Sequence, residues 1–159
     1  YKRQILQKEL PEYRMDILGG GPEKEYYENK AKEMGLNRII FHGFEQPNEY
    51  YKRAEVLCMT SNYEGFPMVL VEAMQYGCVP FAFNSFGALQ DIIDDGINGF
   101  RIIPFNEKEY AEKVIQYLSS SSENHNKLQG NAIEKSKTFD INIIGKKWVE
   151  IFSNYKKYC

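Results

Sequence analysis

Cysteine is scarce in this 159-residue sequence: Cys58, Cys78 and Cys159 form an odd set with no C-x-x-C pair. Cys58 and Cys78 lie in apolar runs, where a thiol behaves as a small core hydrophobe, so the pattern implies a reducing compartment. No apolar stretch approaches the ~20 residues that span a bilayer. The opening Tyr1-Lys2-Arg3-Gln4 lacks the apolar centre of a signal peptide, and the expected protein is soluble and cytoplasmic. An excess of one charge is missing as well. A net charge of -2 gives no positive field for a phosphate polymer, which argues against a nucleic-acid partner. Lys135, Lys137, Lys146, Lys147, Lys156 and Lys157 make the C-terminal end basic, but Glu134 and Glu150 interleave with them as on a solvated helix face. Weak contact with a membrane surface is the alternative. His42 and His125 are isolated, and no G-x-S-x-G occurs, so hydrolase triads have no support. Asp94 and Asp95 have no nearby histidine, and no metal site is expected.

What is present is a core. Hydrophobic residues make up 43% of the chain, enough for one sizeable interior, and the expectation is a single domain over 1–159. Short β-rich runs at Met15–Leu18, Arg38–Phe41, Glu55–Met59, Val79–Phe83 and Phe100–Ile103 alternate with helical patterns. That alternation predicts an α/β fold, a Rossmann-like parallel sheet with helices on both faces. The predicted helices are Pro22–Met34, Pro47–Ala54, Pro67–Tyr76, Leu89–Asp94 and Glu107–Leu118. Three open on proline, whose fixed φ and missing N–H suit the first helical position. After the polar break Ser119–Ser122 a helical end follows, Glu123–Thr138 and Ile141–Tyr155. In the last helix Ile141, Ile144, Trp148, Ile151, Phe152 and Tyr155 recur at helical spacing, and that stripe is expected to pack on a core. Tyr1 to Leu10 has the pattern of a helix end with no strand before it. An open parallel sheet starts from a central strand, so the first strand is expected to be missing and the chain to begin partway through a domain.

Two segments carry chemistry. Ile17-Leu18-Gly19-Gly20-Gly21-Pro22 runs from a strand through glycines into a helix, the setting in which backbone approaches a phosphate. A dinucleotide fingerprint would need glycine at 24, where Lys24 stands, and Glu23 and Glu25 repel an anion at that helix start. The segment is either a tight turn on the rim of a ligand site or a purely structural turn. Thr60-Ser61-Asn62-Tyr63-Glu64-Gly65-Phe66-Pro67 is the stronger case. With Pro67 opening the helix and Phe66 unable to cap it, the amides of Met68, Val69 and Leu70 are expected to stand free. No acid occupies that turn and Gly65 removes bulk beside it, so a diphosphate suits it, with water as the other occupant. Glu72 sits in an otherwise apolar helix and calls for a partner, such as ribose hydroxyls or an arginine, or else a solvent edge. Glu64 lies at the strand's carboxyl end, where open α/β sheets bind ligands. His42 ends a strand on the same side, as a rim contact or as a structural group.

In order along the chain, Gly19-Gly20-Gly21-Pro22, Ile40-Phe41-His42-Gly43-Phe44, Ser61-Asn62-Tyr63-Glu64-Gly65-Phe66-Pro67, Glu72-Ala73-Met74-Gln75-Tyr76-Gly77 and Asp94-Asp95-Gly96-Ile97-Asn98-Gly99 resemble family-4 retaining glycosyltransferases of the GT-B type. The resemblance implies the C-terminal half of a GT-B fold, binding a nucleotide-diphospho-sugar and passing its sugar, with retention, to a carbohydrate or lipid-linked acceptor. It places Glu64 near the transferred sugar as the catalytic residue and Glu72 on the ribose hydroxyls. Main-chain groups of Gly65, Phe66, Pro67, Met68, Val69 and Leu70 would hold sugar and phosphate, while Gly20, Gly21 and Gly43 would border the base. No metal or other cofactor is implied. The family's first strand, the Arg and Lys that follow it and the acceptor-binding N-terminal domain would lie upstream of Tyr1, leaving this fragment inactive alone. Peripheral attachment at the inner face of the membrane stays open for the full-length enzyme. Asp91 stands where the family more often has glutamate. A nucleotide-sugar epimerase of the same architecture and a non-catalytic nucleotide-binding domain are the alternatives.

Overall fold

The computed structural model describes residues 2–155; Tyr1, Lys156, Lys157, Tyr158 and Cys159 lie outside the described residues. The chain begins with α1 (Lys2–Glu9) and β1 (Met15–Leu18), followed by α2 (Lys24–Glu33) and β2 (Ile39–Gly43). The short α3 (Asn48–Tyr51) leads to β3 (Val56–Met59), α4 (Met68–Met74), β4 (Val79–Phe83), α5 (Leu89–Ile92) and β5 (Phe100–Ile102). Three longer helices close the chain: α6 (Glu107–Leu118), α7 (Ser122–Lys137) and α8 (Ile141–Tyr155). Every strand pairing is parallel, as the βαβ alternation predicts.

Local chemistry accounts for several boundaries. Asn106 caps α6 by accepting from the Glu109 amide at 3.1 Å, with Glu107 and Glu109 favourably placed in the first turn of the helix. The serine run acts as a helix start: Ser121 Oγ accepts from the Asn124 amide at 3.3 Å and caps α7. In β4 all five residues, Val-Pro-Phe-Ala-Phe, are buried, which is the mark of a strand covered on both faces. Period-two alternation then sorts its side chains. Phe81 and Phe83 pack with Tyr110, Val114 and Tyr117 of α6 on one face, whereas Ala82 meets Leu70, Val71 and Met74 of α4 with Leu89 and Ile92 of α5 on the other. The Tyr110 hydroxyl donates to the Phe81 carbonyl at 2.6 Å, tying α6 to the middle of the sheet.

Two expectations need correction. The strands form not one sheet but two, ordered β1-β2 and β3-β4-β5. The free edges of β1 and β3 both border an apolar cavity of about 410 Å³, lined by Met15 and Leu18 from one and Val56 and Leu57 from the other, with Leu6 of α1 beside them. Without a hydrogen-bonding neighbour between them the two edges stay unpaired. The second correction concerns α8. Its apolar stripe covers no core: α8 has no buried residue, and Trp148 and Phe152, stacked at 5.6 Å, are 54% and 63% exposed. Helical periodicity gives the hydrophobic face of a helix but not the surface that meets it. No helix among the described residues is long and apolar enough to cross a membrane.

The turn before β5 is built on a buried side chain. Asn98, 1% exposed, accepts from the Asp94 amide at 2.7 Å and donates to the Ile92 carbonyl at 3.0 Å. Asp95 accepts from the Arg101 amide, and Asp94 pairs with Lys135 of α7 at 2.9 Å. Both acids of the Asp94-Asp95 pair are thereby engaged in holding the turn. Truncating Asn98 to Ala leaves a buried amide and carbonyl without partners, so Asn98→Ala is expected to lower stability by about 1–3 kcal/mol. Urea unfolding followed by far-UV circular dichroism measures this, and an unchanged midpoint would refute the bonding role.

Candidate functional site

Two loop systems gather the predicted residues. In the first, the chain leaves β1 at Gly19 and β2 at Gly43, and the Gly19 amide donates to the Gly43 carbonyl at 2.6 Å. Gly20 and Gly21 are thereby held beside the end of β2. Gly43 has φ +81, a left-handed conformation that only glycine adopts without strain, and it turns the chain out of the strand into Phe44. Lys24 from the first turn of α2 reaches this corner: its Nζ would stand 3.8 Å from a Cβ at residue 43.

In the second, the loop after β3 runs from Thr60 to Pro67. Ser85 Oγ donates to the Ser61 carbonyl at 2.8 Å, so the loops after β3 and β4 are tied together. Glu64 is half-buried and makes no ion pair or hydrogen bond among the described residues. Gly65 is exposed, Phe66 is 42% exposed with its ring 5.5 Å from that of Phe139, and Pro67 is buried.

The cradle of amides is smaller than expected. Pro67 does not open the helix; with φ -76 and ψ 86 it caps α4 from outside, near the geometry of an inverse γ-turn. Accordingly the Met68 amide donates to the Phe66 carbonyl at 2.9 Å and the Leu70 amide to the Pro67 carbonyl at 3.0 Å. Only Val69 is left with an amide unbonded to the preceding loop. The sequence shows that no side chain caps this helix, which is correct, but the tight turn that supplies backbone acceptors instead depends on the ψ of Pro67. Met68 and Val69 have exposed side chains, while that of Leu70 is fully buried in the core.

Glu72 resolves to the solvent edge: it is exposed on α4, and its charge acts on Tyr51 nearby. Burial first and this carboxylate second push the Tyr51 hydroxyl up to about 12. His42 is a structural group. Its Nε2 is 2.6 Å from Asp16 Oδ1 on the neighbouring strand, and its ring meets Tyr50 edge-on at 4.8 Å. His125 likewise stacks on Tyr117 and contacts its carbonyl at 2.7 Å. Cys78 is a core thiol, raised to about 12 chiefly by burial.

Gly20, Gly21 and Gly43 are brought together, as are Gly65 to Leu70. Among the described residues no hydrogen bond joins the two systems; the strands that lead into them, with Ile17, Phe41 and Cys58, help to line a second cavity of about 400 Å³. Two contributors were missed from sequence. Ser85 looked like an ordinary loop serine, because its partner lies 24 residues away. Phe44 sat in a recognised segment, but its exposure was not readable there.

The family model described as Glycosyl transferases group 1 matches residues 3–135. An alpha-1,4-N-acetyl-D-galactosaminyltransferase of Campylobacter jejuni, named for a diNAcBac-PP-undecaprenol glycan, is 29% identical over 95% of this chain and 42% of its own length. The amylovoran biosynthesis glycosyltransferase AmsD of Erwinia amylovora is 30% identical over 89% of this chain and 40% of its length. Among solved structures, the pneumococcal O-GlcNAc transferase GtfA in complex with UDP and GlcNAc superposes with TM-score 0.84 at 25% identity, over 96% of this chain and 32% of that one. This chain spans less than half the length of these relatives. With a family match running from α1 to within three residues of the end of α7, and the same α/β architecture in the pneumococcal transferase, the chain belongs to the group 1 glycosyl transferases.

Proposed function

We propose that this chain is the donor-binding part of a family-4 retaining glycosyltransferase of the GT-B type, which moves a sugar from a nucleotide-diphospho-sugar to a carbohydrate or lipid-linked acceptor. The carrying observation is the Glu64 loop at the carboxyl end of β3, pinned by Ser85 and holding a half-buried carboxylate that makes no ion pair or hydrogen bond among the described residues. Ligands of open α/β sheets bind at this end of the strands. The pneumococcal relative holds UDP and GlcNAc, and the Campylobacter relative's undecaprenol-linked name supports a lipid-linked acceptor and work at the inner face of the membrane. Glu64 acts at the transferred sugar and Glu72 on the ribose hydroxyls; exposure leaves Glu72 free to accept them. Gly65 to Leu70 line the sugar and phosphate, and Gly20, Gly21 and Gly43 border the base. The reaction uses no divalent metal or further cofactor.

In the complete enzyme one strand fills the gap between β1 and β3. Inserting it there gives the doubly wound order, in which a sheet starts at its centre, grows to one side and then reverses. The paired cavities and the free edges support this reading. Acceptor binding belongs to a further domain.

Calorimetric titration of the full-length enzyme with UDP, GDP and ADP sugars tests the proposal. One nucleotide class is expected to bind, and Glu72→Ala to weaken it by at least about tenfold through loss of charge-assisted hydrogen bonds. Absence of binding to all three classes would end the donor-site reading.

A further inference from the structure

The loop that carries Glu64 is tethered at its two ends and free between them. The Ser85 hydroxyl holds the Ser61 carbonyl at 2.8 Å, and among the described residues 62–65 make no hydrogen bond. Tyr63 is 81% exposed, and a Cβ added to Gly65 would meet nothing within 4 Å, so neither packs the middle of the loop against a neighbour. The second tether is Phe66, whose ring lies 5.5 Å from that of Phe139 at an angle of 60°. Tilted aromatic pairs at such a distance attract beyond the area that they bury.

Phe139 is a firm post for this contact. It follows Thr138, the cap of α7; its amide donates to the Ser136 carbonyl at 3.0 Å, and it packs against the core cluster that contains Leu70, Val71 and Met74 of α4. α7 is itself well fixed: Ala132 is fully buried, Asn131 Nδ2 donates to the Ile97 carbonyl at 2.9 Å, and Lys135 pairs with Asp94. Phe66 differs from Phe139 in being largely outside the core, at 42% exposed. Its ring contact fills little of the interior and instead fixes where the loop runs. Beyond Pro67 the chain has separate support, because Leu70 and Val71 are buried in the core. Loss of the ring contact therefore frees Glu64 and Gly65 and leaves α4 in place.

We propose that Phe139 is a positioning residue for sugar transfer, holding Glu64 in register with the donor's sugar through the ring of Phe66. This rests on the donor-binding reading and extends it to the helical C-terminal end of the chain. A carboxylate that must face one reacting carbon tolerates little displacement: a shift of about 1 Å can cost up to about a hundredfold in rate.

The test is a double-mutant cycle in the full-length enzyme, reading kcat for sugar transfer and, by calorimetry, the affinity for UDP. Phe66→Ala and Phe139→Ala are each expected to lower kcat about tenfold. UDP affinity stays within about twofold of wild type, because UDP brings no sugar to Glu64. The double variant is expected to lose no more than about tenfold, since both changes remove one and the same contact. Phe139→Leu keeps most of the apolar volume without the ring; it is expected to lower kcat similarly and takes the place of Phe139→Ala in the cycle if that variant does not fold. A kcat within about threefold of wild type in the Phe139 variant, or a double variant that loses about a hundredfold as the product of its singles, overturns the clamp. An equal loss of UDP affinity overturns it too, because the defect would then be a general loosening of the domain. Failure of the donor-binding reading shows separately, as Glu64→Gln transferring sugar at the wild-type rate, and the clamp then falls with the group it positions.

Discussion

Glu64→Gln in the full-length enzyme is expected to lower kcat for sugar transfer about 100- to 1,000-fold, while the affinity for the nucleoside diphosphate stays within about twofold. As the bond from sugar to diphosphate breaks, the sugar ring gains positive charge, and a carboxylate held beside it stabilises that state more than the ground state. Glutamine keeps the shape and removes the charge. The comparison is clean because Glu64 forms no ion pair or hydrogen bond among the described residues, so its replacement breaks no contact that holds the loop. Ser85 continues to anchor Ser61 in the variant. The split between kcat and binding separates a role in the transition state from a role in ground-state recognition. A variant that transfers sugar at the wild-type rate would remove Glu64 from the chemistry.

The largest effect on stability is expected at Phe81. Its side chain is fully buried in β4, stacked on Phe100 at 4.6 Å and flanked by the rings of Tyr117 at 5.8 Å and Tyr110 at 6.4 Å. Phe81→Ala opens a cavity bounded by rigid aromatic neighbours that cannot collapse into it, and a loss of about 3–5 kcal/mol is expected. That is a large part of the roughly 5–15 kcal/mol that holds an ordinary domain together. The Tyr110 bond to the residue 81 carbonyl survives in principle, because it goes to backbone, so the measured loss reports packing. Urea unfolding monitored by circular dichroism checks it; a loss below about 1 kcal/mol would show that β4 is not the centre of the core.

Much of this architecture was legible in the residues. The strands Met15–Leu18 and Val79–Phe83 and the helices Glu107–Leu118 and Ile141–Tyr155 have the predicted bounds, since each is a strongly periodic or uniformly apolar run closed by a clear polar stop. Boundaries drifted where proline was read as the first residue of a helix. At Pro22, Pro47 and Pro67 the helix begins one or two residues later, because a fixed φ permits a helical start but leaves ψ undecided. The same undecided ψ explains the amide cradle: once Pro67 lies outside α4, its carbonyl and that of Phe66 take up two of the three donors.

The site divides in a similar way. That Glu64 lies at the carboxyl end of a strand, and that glycines cluster after β1 and at the end of β2, follows from local pattern, as did the resemblance to glycosyltransferases, which the family match bears out as membership of group 1. The exposure of Glu72 did not follow, because helical spacing places its neighbours in the core without stating how wide the covered face is. Nor did the exposure of Phe44, since a lone aromatic in a sequence reads equally well as core or as surface.

What the sequence determined by itself is therefore the order and type of the elements, the buried character of β4 and the loops that carry function, all encoded in contacts between residues near one another in the chain. Tertiary structure alone decided that the strands split into two sheets, that α8 keeps its apolar face uncovered and that Phe44 stands exposed beside the glycine corner. Each of these depends on which surfaces meet across long stretches of chain, and burial and edge pairing are properties of that meeting and not of any one segment.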